Sequence, residues 1–190
     1  MMKGLFRFSM FLILILIVLT AGVLYIRPTQ PLDMSYKDIV WKDKLIEMVE
    51  TRQPEITLTN TDLNNLAKMG IAKALEEKDI PVSITGAEFR FEGNNVSVDF
   101  NAKWGFLTAG GTAKFQIEYS EGKLRLSPVS LFVKNIPISP DKLGLVPMDI
   151  DLATYLPGII HISQVDFEDR YIKVRISADW MAILQYLQTL

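Results

Sequence analysis

The chain has 190 residues, with 20 Lys plus Arg against 22 Asp plus Glu, one His and no Cys. A formal charge of −2 gives no basic surface for nucleic acid. The missing Cys excludes disulfides and thiol catalysis, and the single His161 excludes any site built on two histidines.

Residues Phe8 to Ile26 (FSMFLILILIVLTAGVLYI) are uncharged and mostly apolar. This tract inflates the mean hydropathy of +0.20. As a helix it reaches roughly 28 Å at ~1.5 Å per residue, enough to cross a bilayer's hydrocarbon core. Lys3, Arg7 and the amino terminus precede it, so the N-terminal side is the cytoplasmic one. A cleaved secretory signal has a shorter apolar region and small residues before its cut. Here the best cut, after Ala21, has Leu19 where a small residue is wanted. The expectation is an uncleaved signal-anchor. Residues 1–27 form a cytoplasmic stub and transmembrane segment, 28–34 a Pro-containing linker, and 35–190 one extracytoplasmic α+β domain of a single-pass protein of the cell membrane.

Ser35 to Gln53 carries Tyr36, Ile39, Val40, Ile46 and Val49 at helical spacing, and Pro54 ends it. Glu55 to Leu58 suits a short strand. Thr59 to Leu75 is the clearest helix after the anchor. Thr59 and Asp62 resemble an N-terminal cap, and Leu63, Leu66, Ala67, Gly70, Ile71, Ala74 and Leu75 form one face.

After Pro81 the apolar period falls from 3.6 to 2. Val82 to Glu92 reads as a strand with an irregularity at Gly86, and Gly93-Asn94-Asn95 as a turn. Val96 to Phe106 alternates without a break, so one face is fully apolar. Thr108 to Gly111 reads as a loop, and Ala113 to Tyr119 as the next strand. Leu124 to Ile136 is a further strand disturbed at Pro128, and Pro137 stops it. Pro137 to Pro147 is a loop in which Ser139-Pro140-Asp141 is able to start a short helix. A second short helix suits Asp151 to Leu156. Ile159 to Phe167 and Tyr171 to Ala178 form a terminal hairpin. Asp179 caps a closing amphipathic helix to Leu190.

Helices followed by long hairpin-linked strands predict an α+β fold, an N-terminal transmembrane helix followed by a curved antiparallel sheet wrapped on helix Thr59–Leu75. The anchor, the TLTNTDLNNL segment (Thr57 to Leu66), the long alternating strands and the Leu/Pro-rich loop before a closing hairpin resemble the YpmS family of uncharacterised membrane-anchored bacterial proteins. The resemblance implies a fold like the tubular lipid-binding modules, a curved sheet on a long helix with an apolar groove. It brings no catalytic residues with it.

Phe100, Trp104, Phe106, Phe115 and Ile117 are the residues expected to line a groove for an acyl chain. The competing reading is a closed core in which these faces pack on the helix. Trp104 to Leu107, and the loop Leu143 to Met148, are apolar segments able to serve as partner or membrane contacts, or simply to plug the core. Asp149/Asp151 and Asp166/Glu168/Asp169 are carboxylate clusters that capping and turn solvation explain. His161 lacks a spaced partner, Ser163 lacks a nucleophile elbow, and neither a phosphate loop nor metal-ligand spacing is present. No cofactor and no enzymatic activity are expected. The leading expectation is a tethered envelope module binding a membrane lipid or other apolar ligand. The alternative is a bitopic accessory or scaffold subunit of a membrane protein complex.

Overall fold

The computed structural model describes residues 2–77, 83–143, 145–156, 158–177 and 179–189. Helix α1 (Met2–Ile26) is followed by α2 (Trp41–Thr51), strand β1 (Glu55–Thr59) and α3 (Asn60–Glu77). Strands β2 (Ser83–Glu92), β3 (Asn95–Trp104), β4 (Leu107–Ser120) and β5 (Lys123–Val133) form a meander. It continues into short β6 (Ile136–Ile138) and β7 (Met148–Asp151). A hairpin, β8 (His161–Phe167) and β9 (Tyr171–Ser177), precedes α4 (Trp180–Thr189). The fold is α+β and every strand pairing is antiparallel. Among the described residues, no helix is long and apolar enough to cross a membrane.

The strands divide between two sheets. The larger runs β2-β3-β4-β5, with β6 and β7 sharing the outer side of β5. The smaller runs β1-β9-β8, so the early strand β1 is completed only by the end of the chain. Leu45 and Met48 of α2, Ile56 and Leu58 of β1, Ile172 and Val174 of β9 and Ile183 of α4 are buried in one core. That core continues through Leu63 of α3 into Phe89, Val96, Val98, Ala113, Ile117 and Leu131 of the larger sheet.

Several boundaries differ from the sequence reading, each for a local reason. The helix expected from Ser35 begins only at Trp41. Residues 35–40 are drawn out by side chains instead: the Asp33 carboxylate accepts from the Ser35 N–H, Ser35 O accepts from Lys68, and the Lys37 N–H donates to Asn65 Oδ1. Arg52, in the left-handed region, closes that helix two residues before Pro54. Thr108 to Gly111, expected as a loop, lies within β4, where glycine pairing with β3 is continuous. Phe106 leaves the strand for the β3–β4 turn. Pro128 sits at a register shift that leaves Val129 as an extra residue, and Pro137 is tolerated in β6 because that strand is a short edge. The two expected short helices are 3-10 turns, Pro140–Leu143 and Leu152–Tyr155.

The expected helix caps are present. Asp62 accepts from the Thr59 N–H and hydroxyl at 2.9 Å each, while the Asp62 N–H donates to Thr59 Oγ1. This is a reciprocal capping arrangement. Asp179 Oδ1 accepts from the Met181 and Ala182 N–H groups at the start of α4.

Candidate functional site

The apolar face of the larger sheet is built by strand alternation. Val96, Val98, Phe100, Ala102 and Trp104 of β3 stand opposite Phe115, Ala113, Gly111, Ala109 and Leu107 of β4. The face changes character along its length. Val96, Val98, Ala113 and Ile117 are buried at one end. At the other, Trp104 is 62% exposed and Phe106, in the hairpin turn, is 90% exposed. Gly105 takes φ +58 while Phe106 does not have a positive φ, the pattern of a two-residue II′ hairpin. So tight a turn has no room to fold the Phe106 ring back onto the sheet.

Of the five residues expected to line a groove, the structure brings Phe100, Phe115 and Ile117 together on one face and sets Trp104 and Phe106 at its open end. Ile117 is only 2% exposed and serves as core. Phe100 and Phe115 are half-buried and pack against the core. Leu145, Leu152, Leu156 and Ile159, from the segment between β6 and β8, pack onto that core as well. Within that segment Leu145 packs on the core while Val146 and Met148 are exposed.

Residues 28–34, expected as a linker, form a belt on the opposite, polar face. Gly110, Asn101 and Gly86 are direct cross-strand neighbours on β4, β3 and β2. Pro28, Gln30 and Leu32 lie on them in that order. A Cβ on Gly110 would meet Pro28 Cα at 2.9 Å, and one on Gly86 would meet Leu32 O at 2.1 Å. Between them, buried Asn101 donates from Nδ2 to Gln30 O at 2.9 Å. Two residues span at most ~6.6 Å and neighbouring strands lie ~4.8 Å apart, so a belt that is not fully extended can dock every second residue on the next strand. At the edge of β2 the belt turns over: Asp33 O accepts from the Ala87 N–H at 3.2 Å. Lys68 of α3, 8% exposed, meets Asp33 Oδ1 at 3.5 Å and Ser35 O at 3.3 Å. Hydrogen bonds from the Ser35 hydroxyl and N–H, and then the Lys68 charge, hold the Asp33 carboxyl below the usual carboxylate range.

Two further outward N–H groups of edge strand β2 are also closed. Asn60 and Asn64, one turn apart on α3, accept from the Phe91 and Phe89 N–H groups at 2.9 Å each, and Asn60 Nδ2 returns a bond to Phe91 O. The NTDLNN stretch thus blocks a sheet edge as well as capping a helix. Nothing in the bare sequence signalled this second use. The spacing of Asn60 and Asn64 gains meaning only once β2 is known to run beside α3.

A cleft beside the belt is lined by Gln30, Leu32, Asp99, Phe100, Gly110 and Lys134, among others. Phe100 is the one groove residue it shares. Within it Asp99 accepts from Thr112 Oγ1 at 2.7 Å and from Arg90 at 2.6 Å. Burial pushes the Asp99 carboxyl up, and the Thr112 and Arg90 hydrogen bonds outweigh it, so the net direction is down. In the two carboxylate clusters, Asp149 pairs with Arg125 at 2.8 Å, Asp151 caps the Ala153 N–H, and Asp166 pairs with Arg175 at 3.0 Å. His161 is exposed, and Ser163 donates to Arg175 O. Among the described residues no group of three or more His, Cys, Asp or Glu is placed to hold a metal. Comparison with protein-family models, with curated proteins and with solved structures finds no match for this chain.

Proposed function

We propose that the chain is a single-pass, membrane-tethered module, standing on the extracytoplasmic side, that holds a membrane lipid or another apolar ligand at the open end of the larger sheet. The observation that carries this reading is the graded apolar face, closed at Ile117 and open at Trp104, on the sheet that receives the belt from α1. In the sequence, the apolar tract of α1 extends through Ser9 and Phe8, and Lys3 and Arg7 favour a cytoplasmic N-terminus. Register shifts between Ile84 and Gly86 and between Lys114 and Phe115 interrupt the pairing of the larger sheet, and irregularities of this kind add twist and bend, which supports a curved sheet. Phe100 and Phe115 form the inner contacts of the ligand, Trp104 and Phe106 the outer ones, and Ile117 the floor. No catalytic step and no cofactor are part of this reading.

The exposed Trp180, Met181 and Leu184 of α4 favour a second reading, an accessory or scaffold subunit of a membrane complex with no ligand. Photoreactive acyl-chain phospholipid, in nanodiscs carrying the full chain, separates the two. Adducts on the peptides bearing Phe100 and Phe115 support ligand binding. Adducts confined to α1 overturn it.

A further inference from the structure

The β3–β4 hairpin tip carries two aromatic side chains that the fold leaves in the open. Phe106 is held out by a two-residue hairpin turn, and Trp104, the last residue of β3, stands at the uncovered end of the sheet's apolar face. Burying the Phe106 ring inside the domain would need the turn to be rebuilt. A pair of large exposed aromatics is costly to keep in water unless something apolar receives it.

The position of the tip identifies what receives it. Pro28 lies on Gly110, and Gly110 is three residues from Leu107, where the hairpin begins. At ~3.3 Å per residue the tip therefore starts about 10 Å along β4 from the belt's first contact. Only Arg27 separates that contact from the last residue of α1. Helix α1 itself packs against β4. The burial of β4 agrees: from Leu107 to Thr112 every residue is half-buried whatever its parity, while Ala113 to Ser120 alternates. The even-numbered positions of this half, on the polar face, thus owe their partial cover to the belt and α1, while the apolar face beside them is only half-closed. Val23 and Ile26, in the last turn of α1, are correspondingly shielded relative to their neighbours.

Two exposed basic residues are placed near the tip. Lys103 precedes Trp104 on the belt side of β3, exposed, and Arg27 is exposed where α1 meets the belt. Aromatic rings flanked by basic side chains match the boundary between acyl chains and anionic headgroups.

We propose that the Trp104-Gly105-Phe106 tip is a second membrane contact, inserted into the headgroup region of the bilayer that α1 crosses, so that the larger sheet stands with its open end on the lipid. This rests on the tethering reading above. It does not need a bound ligand.

The test uses the full chain in vesicles of phosphatidylcholine and phosphatidylglycerol, with part of the lipid brominated near the headgroup end of its acyl chains. Trp41→Phe with Trp180→Phe leaves Trp104 as the sole indole, and Trp41→Phe with Trp104→Phe leaves Trp180 as the comparator. The expected result is blue-shifted Trp104 emission, strongly quenched by bromolipid and little by acrylamide, with the Trp180 chain showing the reverse. Because the chain has no Cys, Phe106→Cys carrying a nitroxide gives a second measurement that needs no other substitution. The label should be more accessible to oxygen than to a water-soluble nickel chelate. Water-like emission and nickel accessibility at both positions, in chains that float with the vesicles after carbonate washing, overturn the tip alone. Failure to float overturns the tether and the tip together.

Discussion

Gly86→Ala inverts the usual sign of a glycine replacement if the belt is part of the fold. Gly86 has no left-handed φ. Alanine there should ordinarily stabilise by ~0.4–1 kcal/mol through the unfolded chain. The added Cβ would lie 2.1 Å from Leu32 O, which is backbone and has no rotamer to move away. The belt must lift. Lifting breaks the Ala87 N–H bond to Asp33 O and the Asn101 bond to Gln30 O, each worth ~1 kcal/mol. It also re-exposes half-buried Leu32, for about another 1 kcal/mol. The net expectation is a loss of ~2–4 kcal/mol, or a Tm lower by roughly 5–15 °C for a domain of this size. Asn101→Ala provides the check on mechanism. With the belt already lifted, its cost should shrink by ~1 kcal/mol in the double variant, because both changes break the same contact. Melting curves of the four full-length chains in one detergent give the cycle. Additive costs, or a Gly86→Ala chain as stable as the parent, would show that residues 28–34 are not bound to the sheet.

Two further predictions concern polar groups. Asn64→Ala leaves the Phe89 N–H without its acceptor and should cost ~1–2 kcal/mol in urea. Amide exchange at Phe89 should quicken before that at Val98 in the sheet interior, and uniform acceleration would refute the edge-blocking role. Acid should destabilise the domain through Asp62 and Asp99. Burial raises Asp62, but its hydrogen bonds from Lys44 and Thr59 prevail, as those from Thr112 and Arg90 do at Asp99, so both carboxyls titrate below the ordinary value. A lowered folded-state pKa adds stability above the unfolded value and loses it as pH falls through the folded one. The urea midpoint should therefore hold from pH 7 to about 5 and fall below about 4. Asp99→Asn should flatten that fall, and an unchanged acid limb would remove Asp99 from the account.

What could be read from the sequence was local. The Thr59–Asp62 and Asp179 caps were legible because a capping side chain and its target lie within three residues of each other. The alternating strands were legible because one face of each is buried. Contacts that depend on register were not. Gly110 looked like a loop residue, and Gly86 like a mere irregularity, until both were found opposite Asn101. The row then explains why two small residues and one buried amide stand where a sheet's polar face would normally carry longer side chains. The split into two sheets was equally hidden, since β1 pairs with β9 across more than a hundred residues. Trp104 and Phe106 fitted an unbroken apolar alternation, but the turn at Gly105 takes Phe106 off the strand and leaves Trp104 at its exposed end.

The belt changes what a tether can mean here. A free linker of seven residues would let the domain rise and rotate by more than 20 Å at ~3.3 Å per residue. With Pro28 on Gly110 the slack shrinks to Arg27, one residue beyond the helix. The orientation of the sheet is then coupled to that of α1. The ten residues of β3 carry the chain ~33 Å from the tip to the Gly93-Asn94 turn. At that far end lies a cleft lined by Asn94, Asp166, Lys173 and Arg175, polar where the tip is apolar. On the proposed membrane contact, the two ends of the sheet would face different surroundings: lipid at Trp104 and Phe106, water at Asn94 and Arg175. Lengthening the chain between Ile26 and Pro28 by several Gly-Ser residues should leave the fold intact and uncouple the tip from the bilayer. Trp104 would then become accessible to acrylamide while the protein still floats with its vesicles. Continued shielding of Trp104 in that chain would mean that the tip binds the membrane by its own affinity, with the belt adding nothing.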